Sequence, residues 1–188
     1  MIRIVTDSTS DIPEEIKVKE NIFLVPLRVF FGEDSYLDWI EMTPEQFYKR
    51  LVTSEDLPRT SQPSPDDFRN LYQKIAGPDD EIMSIHISHL LSGTIQSANA
   101  ARETLPDLKI NIYDSKLASM GAGVMVIEAA RAANRGANRE QIENIIEHYR
   151  QKTKTYFFVD TLKYLHKNGR IGKAKALKNR VCQYFHSN

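Results

Sequence analysis

The sequence predicts an α/β protein with a mostly parallel sheet and helices on both faces. Three observations carry this. Five short strand-like runs alternate with segments whose apolar residues recur at helical spacing. Capping and turn residues mark the joints between them. At 188 residues, 41% hydrophobic and 27% charged, the chain has the size and balance of one well-packed globular domain.

Taken in order, residues 2–6 (Ile-Arg-Ile-Val-Thr) read as a buried first strand. Asp7-Ser8-Thr9-Ser10-Asp11 follows as a turn rich in capping side chains, and Pro13 opens a helix through Lys19. Residues 21–31 form a long β-rich run, with Val25, Leu27, Val29 and Phe31 in alternation, that Gly32-Glu33-Asp34 breaks into an edge hairpin returning through Tyr36 to Ile40. Thr43 caps a helix with Pro44 in its first position, running to about Val52. Phe68, Leu71, Tyr72 and Ile75 mark the next helix, residues 81–87 a strand, and Ile95, Ala98, Ala101 and Leu105 a further helix. Residues 108–113 give another strand, ending at Asp114-Ser115. A long buried helix is expected over 117–134, stopped by Gly136, and another over 139–152 with Ile142, Ile145, Ile146 and Tyr149 on one face. A fifth strand over 155–159 and a short helix capped by Asp160-Thr161 and ended by Asn168-Gly169 complete the pattern.

The functional signal lies at two joints. Ser92, Gly93 and Thr94 stand where the 81–87 strand gives way to a helix. A helix start offers unpaired N–H donors and partial positive charge, and a glycine there lets a ligand oxygen approach the backbone. The pattern suits an anionic head group, but it lacks the lysine and spacing of a nucleotide-triphosphate loop. Read alone, it is more often an ordinary serine cap. The second joint is Thr60-Ser61-Gln62-Pro63-Ser64-Pro65, whose prolines restrict the backbone; read alone, it is equally a Ser/Pro helix start. In a parallel sheet, loops that follow the strands gather along one edge, so the two hydroxyl segments are expected to converge.

Composition excludes several classes. Cys182 is the only cysteine, so no intramolecular disulfide and no multi-thiolate zinc site can form, and a reducing cytoplasm is the expected compartment. The N-terminus lacks a signal-peptide pattern, and the most apolar run, residues 117–127, is too short to span a bilayer. Net charge is zero but lopsided: residues 1–100 carry 17 acidic and 9 basic side chains, and residues 101–188 carry 8 acidic and 16 basic. The basic residues are not interleaved with a stacking platform and no nucleic-acid motif accompanies them, so no nucleic-acid partner is expected.

In order along the chain, Val5-Thr6-Asp7-Ser8-Thr9, Val25-Pro26-Leu27, Thr43-Pro44-Glu45-Gln46-Phe47-Tyr48, Thr60-Ser61-Gln62-Pro63-Ser64-Pro65, Leu91-Ser92-Gly93-Thr94, Asp114-Ser115-Lys116, Ser119-Met120-Gly121 and Gly169-Arg170-Ile171 resemble the DegV family of fatty-acid-binding proteins. The set spans residues 2 to about 177. The resemblance implies a protein that holds one long-chain fatty acid and uses no cofactor beyond that ligand. Thr60 and Ser92 would bond the carboxylate, with Ser61, Gly93 and Thr94 as the polar wall. Leu90, Leu91, Met120, Val124, Ile127 and Phe158 are candidates for the tail environment. It further implies that the acid is presented to a separate fatty-acid kinase, that this chain does no chemistry, and that Arg170 contacts the partner.

The same resemblance sets expected limits: a DegV-like domain over 1–171, then an atypical tail, 172–188, where relatives continue into a second domain, as a truncated gene product would. A rival reading comes from the residues themselves. Asp7, Asp114 and Asp160 each end a strand and could gather a metal, while His86 and His89 beside the hydroxyl segment suggest a small metal- or Ser-dependent hydrolase or phosphate-binding enzyme. The Gly-x-Ser-x-Gly nucleophile pattern is absent.

Overall fold

The computed structural model describes residues 1–54, 57–156 and 169. The expected short helix after Asp160, Phe158, Arg170, the domain limit at 171 and the 172–188 tail lie outside these residues, as does all of the last expected strand beyond Tyr156.

Four parallel strands, β1 (Ile2–Asp7), β2 (Ile22–Val25), β6 (Glu81–His86) and β7 (Lys109–Asp114), form the main sheet in the order β2-β1-β6-β7. The central pair is buried along nearly its whole length because both faces are covered. Alternate residues feed separate cores. Ile4, Met83 and Ile85 pack with α5 (Met120–Asn134) and with Ile142 and Ile146 of α6 (Arg139–Lys152). Val5 and Ile82 pack on the other side with Phe68 and Tyr72 of α3 (Pro65–Ile75) and Ala98 and Ala101 of α4 (Thr94–Glu103). Each such fully buried Ile or Phe contributes roughly 1.5–3 kcal/mol relative to exposure.

A second, smaller sheet is antiparallel. Its strands are β3 (Arg28–Phe31), β4 (Asp34–Leu37) and β5 (Arg59–Ser61), in the order β4-β3-β5. The single run expected over 21–31 is therefore split between two sheets. Pro26 has no N–H to continue the parallel ladder, and Leu27 N instead donates to Ser8 Oγ at 3.0 Å, just past the end of β1. The expected edge hairpin is present, turning at Gly32 with φ 61°. Helix α2 (Pro44–Thr53) starts at Thr43 with a reciprocal cap: Gln46 N donates to Thr43 Oγ1, and Thr43 N to Gln46 Oε1. Phe47 packs it on Phe31.

The remaining differences from expectation have tertiary causes. The strand expected to reach Ile87 stops at His86 because Ile87 N donates to Asp7 Oδ2 at 3.1 Å rather than to a neighbouring strand. The long helix begins at Met120, not at 117. Leu117 O accepts from Ser88 N at 3.0 Å, and Ser119 sits at φ 53° with its Oγ donating to Asp11 Oδ2 at 2.6 Å. Those contacts hold 117–119 out of the helix. Gly123 permits the close crossing of α5 over the β1 turn, since a Cβ there would overlap Ser10 O. Helix α1 (Glu14–Lys19) follows Pro13, and α6 has the limits expected for it.

Candidate functional site

Strand β6 delivers Ser88 to the carboxyl edge of the parallel sheet, and a tight turn carries the chain into α4. Leu91 N and Ser92 N both donate to Ser88 O, at 2.9 and 3.2 Å. Ser88 is in turn held by Leu117 O, so the turn is pinned before the hydroxyls are placed. Helix α4 starts at Thr94, and Gly93 in the capping position offers no side chain to the first-turn amides. Ser92 takes up only part of the capping role: its Oγ accepts from Thr94 N at a long 3.4 Å and lies 2.9 Å from Thr94 Oγ1. Thr94 is fully buried while Ser92 is half-exposed, so the Thr94 hydroxyl serves Ser92 from behind.

Thr60 and Ser61 are not in a loop, and they do not follow a strand of the parallel sheet. They lie in β5 of the antiparallel sheet, where neighbouring residues face opposite sides. Thr60 stands in register with Val29, which pairs with Tyr36, whereas Ser61 stands with Arg28, which pairs with Leu37. The two adjacent hydroxyls are therefore divided between the faces of that sheet.

Even so, the two hydroxyl segments meet, and Gln62 joins them. Its Nε2 donates to Ser97 Oγ in the first turn of α4 at 2.9 Å. Its amide also fills the space beside Gly93, where an added Cβ would overlap it. The sequence assigned that space to a ligand oxygen. The structure gives it to Gln62. Sequence reasoning did not single out Gln62, although its place between two hydroxyl residues and a proline was visible.

His86 and His89 diverge. His86 is buried, with Nδ1 2.9 Å from Asp7 Oδ2 and Nε2 2.6 Å from Ser84 Oγ. Ser84 Oγ also accepts from Tyr72 Oη at 2.8 Å. The set resembles a Ser–His–Asp arrangement, but Ser84 is 0% exposed and Phe68 packs edge-on against the imidazole at 5.1 Å. No substrate reaches that hydroxyl. His89 is exposed and paired with Asp114, Nδ1 to Oδ2 at 2.5 Å, while Asp114 also accepts from Lys116 N. Asp7 and Asp114 are thus engaged separately, Asp160 lies outside the described residues, and among those residues no three His, Cys, Asp or Glu side chains are grouped to hold a metal.

Three carboxylates surround the end of β1, and their environments separate them. Burial opposes ionisation of Asp7, but bonds from His86, Thr9 and Ile87 N more than offset it and hold its pKa below the ordinary range. Burial raises Asp11 and Asp38, which have fewer compensating donors. Burial likewise pushes the Tyr72 phenol well up.

The proposed tail residues divide as well. Ile127 is 7% exposed and belongs to the core, and Leu90 and Leu91 are half-buried. Met120 and Val124, one turn apart on α5, are each 39% exposed. They are the apolar pair left open on that helix.

Fold and site together define an α/β domain in which a helix start at the parallel sheet's carboxyl edge is joined through Gln62 to the hydroxyl-bearing strand of a small antiparallel sheet. The chain belongs to the DegV family: residues 1–181 match the family model described as "Uncharacterised protein, DegV family". A DegV domain-containing protein of Listeria innocua is 36% identical over 183 residues, covering 97% of this chain and 65% of its own length. A solved structure described as fatty acid binding of a DegV family protein from Thermus thermophilus aligns at TM-score 0.81 and 36% identity, over 94% of this chain and 63% of that one. The structure of DegV from Bacillus subtilis, described as a fatty acid binding protein, aligns at TM-score 0.85 and 33% identity, over 96% of this chain and 65% of that one. This chain thus spans just under two thirds of the length of these relatives. Among the described residues no helix is long and apolar enough to cross a membrane.

Proposed function

We propose that this protein binds a long-chain fatty acid, with the carboxylate at the junction of the Thr60–Gln62 and Ser92–Thr94 segments and the tail toward Met120 and Val124. The observation that carries the reading is the Gln62 bridge, which brings two hydroxyl-bearing segments from different sheets to one helix start. A carboxylate accepting hydroxyl and first-turn N–H bonds needs no full counter-charge, and the tail adds about 0.8 kcal/mol per buried methylene. Ser92 and Thr60 are the proposed carboxylate ligands, with Ser61, Gly93 and Thr94 as their surroundings. Gly93 acts here by admitting Gln62. The relatives described as fatty acid binding proteins support the ligand class.

The protein itself is read as a carrier without catalytic chemistry that presents the acid to a separate ATP-using kinase, with Arg170 as a contact for that partner. The partner and Arg170 rest on the family resemblance alone.

Denaturing extraction and mass spectrometry of the purified chain test the ligand. The expected result is a co-purifying fatty acid, retained by wild type and depleted in Ser92→Ala and Thr60→Ala, each weakening affinity about five- to tenfold. A wild-type chain that carries no lipid and takes up none on incubation refutes the reading.

A further inference from the structure

A buried hydrogen-bonded chain underlies both hydroxyl segments. It begins at Tyr72 on α3, the helix that starts at Pro65 directly after the Thr60–Gln62 segment. It passes through Ser84 and His86 on β6, the strand that leads into the Ser88–Ser92 turn, and ends on Asp7 at the tip of β1. Asp7 then bonds forward to that turn, because its Oδ2 also accepts from Ile87 N. Its Oδ1 accepts from Thr9 N at 3.0 Å and from Thr9 Oγ1. All four residues of the chain are fully buried.

The order of the donors follows from this geometry. His86 Nδ1 faces an ionised carboxylate and so carries the hydrogen. Nε2, where it carries no hydrogen, accepts the hydroxyl hydrogen of Ser84. Having donated its one hydrogen, Ser84 accepts from Tyr72. Tyr72, Ser84 and His86 thus each donate in the direction of Asp7, whose carboxylate also gathers Thr9 and Ile87 N.

We infer that the Tyr72–Ser84–His86–Asp7 chain is a positioning device for the head-group site: it fixes α3 against β6 and so sets how the Thr60–Gln62 segment meets the Ser92–Gly93 helix start. None of the four touches the ligand. Gln62 joins the segments at the surface, and the chain holds their supports together underneath. Pro63, which is buried, and Pro65 at the head of α3 stiffen the short connection, so a displacement of α3 is passed to Gln62.

This inference rests on the fatty-acid reading for its functional arm, and one arm of the test does not. In the ligand-free 188-residue chain, Tyr72→Phe removes a single hydroxyl and leaves the ring. The expected result is movement of the Ser92, Gly93 and Thr94 amide resonances and of the Gln62 side-chain amide. Changes confined to residues around Ser84 overturn the inference. In the second arm, affinities for hexadecanoic acid and its methyl ester are compared, since only the acid presents an anionic head. Tyr72→Phe is expected to weaken the acid about fivefold and leave the ester unchanged. Equal loss for both ligands indicates a general structural role and overturns it. Ser84→Ala, and Tyr72→Phe combined with Ser84→Ala, are expected to lose the same amount, because the chain is already broken at Ser84. Additive losses overturn the device as a unit. If the wild type binds neither ligand, the fatty-acid reading fails and the resonance arm decides the chain by itself.

Discussion

The two sheets of this protein solve the problem of polar groups in opposite ways. In the parallel sheet, Asp7, Ser84 and His86 are taken fully out of water and every one is bonded to another buried group. In the antiparallel sheet the polar contacts stay at the surface, as in the Arg50–Asp34 pair with Tyr36, and α2 contributes no buried residue. The first region gains a unique arrangement at high risk if a partner is lost. The second risks little and keeps its hydroxyls available. A binding site assembled from both takes its rigidity from one and its accessible groups from the other.

Substitutions probe that contrast, and the largest effects belong to the parallel sheet. Phe68→Ala removes a fully buried ring against His86 and Tyr72 and is expected to cost roughly 3–5 kcal/mol in urea unfolding. A loss below 1 kcal/mol would mean the α3 core is far looser than its burial indicates. Asp7→Asn leaves buried donors facing an amide and is expected to cost about 3 kcal/mol at neutral pH. Its pH dependence has a definite sign. The folded pKa of Asp7 is depressed, so its stabilisation is fully present above the ordinary aspartate pKa and is lost as pH falls through the folded value. The gap between wild type and Asp7→Asn should therefore close on acidification; a gap that is constant from neutral to acid pH would show that Asp7 is not held ionised.

Gly93→Ala acts at the joint between the regions. The new Cβ displaces Gln62, and acid affinity is expected to fall about tenfold with a stability change near 1 kcal/mol. Gln62→Ala alone removes the bridge without adding a methyl group and is expected to lose a similar amount. Unchanged acid affinity in Gln62→Ala would show that the bridge does not assemble the site. The smallest effect is expected in the antiparallel sheet, where Arg50→Ala should leave the melting temperature unchanged in a thermal scan, since the pair it breaks is exposed and screened. A clear drop would place that surface pair among the supports of the cap.

Much of the helical structure was legible from local signals. Thr43-Pro44 and Ser64-Pro65 each announce a helix with its cap, and the 139–152 stripe has the limits it was assigned. The strands were legible as strands but not as members of a particular sheet. Nothing local distinguishes Val25 from Val29, yet Pro26 and the Ser8–Leu27 bond send them to different sheets. The same limit applied to the site. Ser92, Gly93 and Thr94 were recognisable as a helix start, whereas the alternation that separates Thr60 from Ser61 depends on strand pairing with Arg28 and Val29. The short strand 59–61, rich in polar residues, carries no apolar alternation to reveal it.

By itself, the sequence determined the limits of helices with local caps such as α2 and α6, which residues are apolar enough to form a core, and that two hydroxyl-rich segments precede helices. These are short-range matters, settled by side chains reaching backbone groups a few residues away and by the helical repeat of apolar positions. Only the tertiary structure decided that His86 is a buried link and His89 an exposed one, that Gln62 occupies the space beside Gly93, and that Asp7 holds the end of β6. Those outcomes depend on contacts between residues such as Asp7 and His86, 79 positions apart, and partners so distant leave no periodic trace in the chain that joins them.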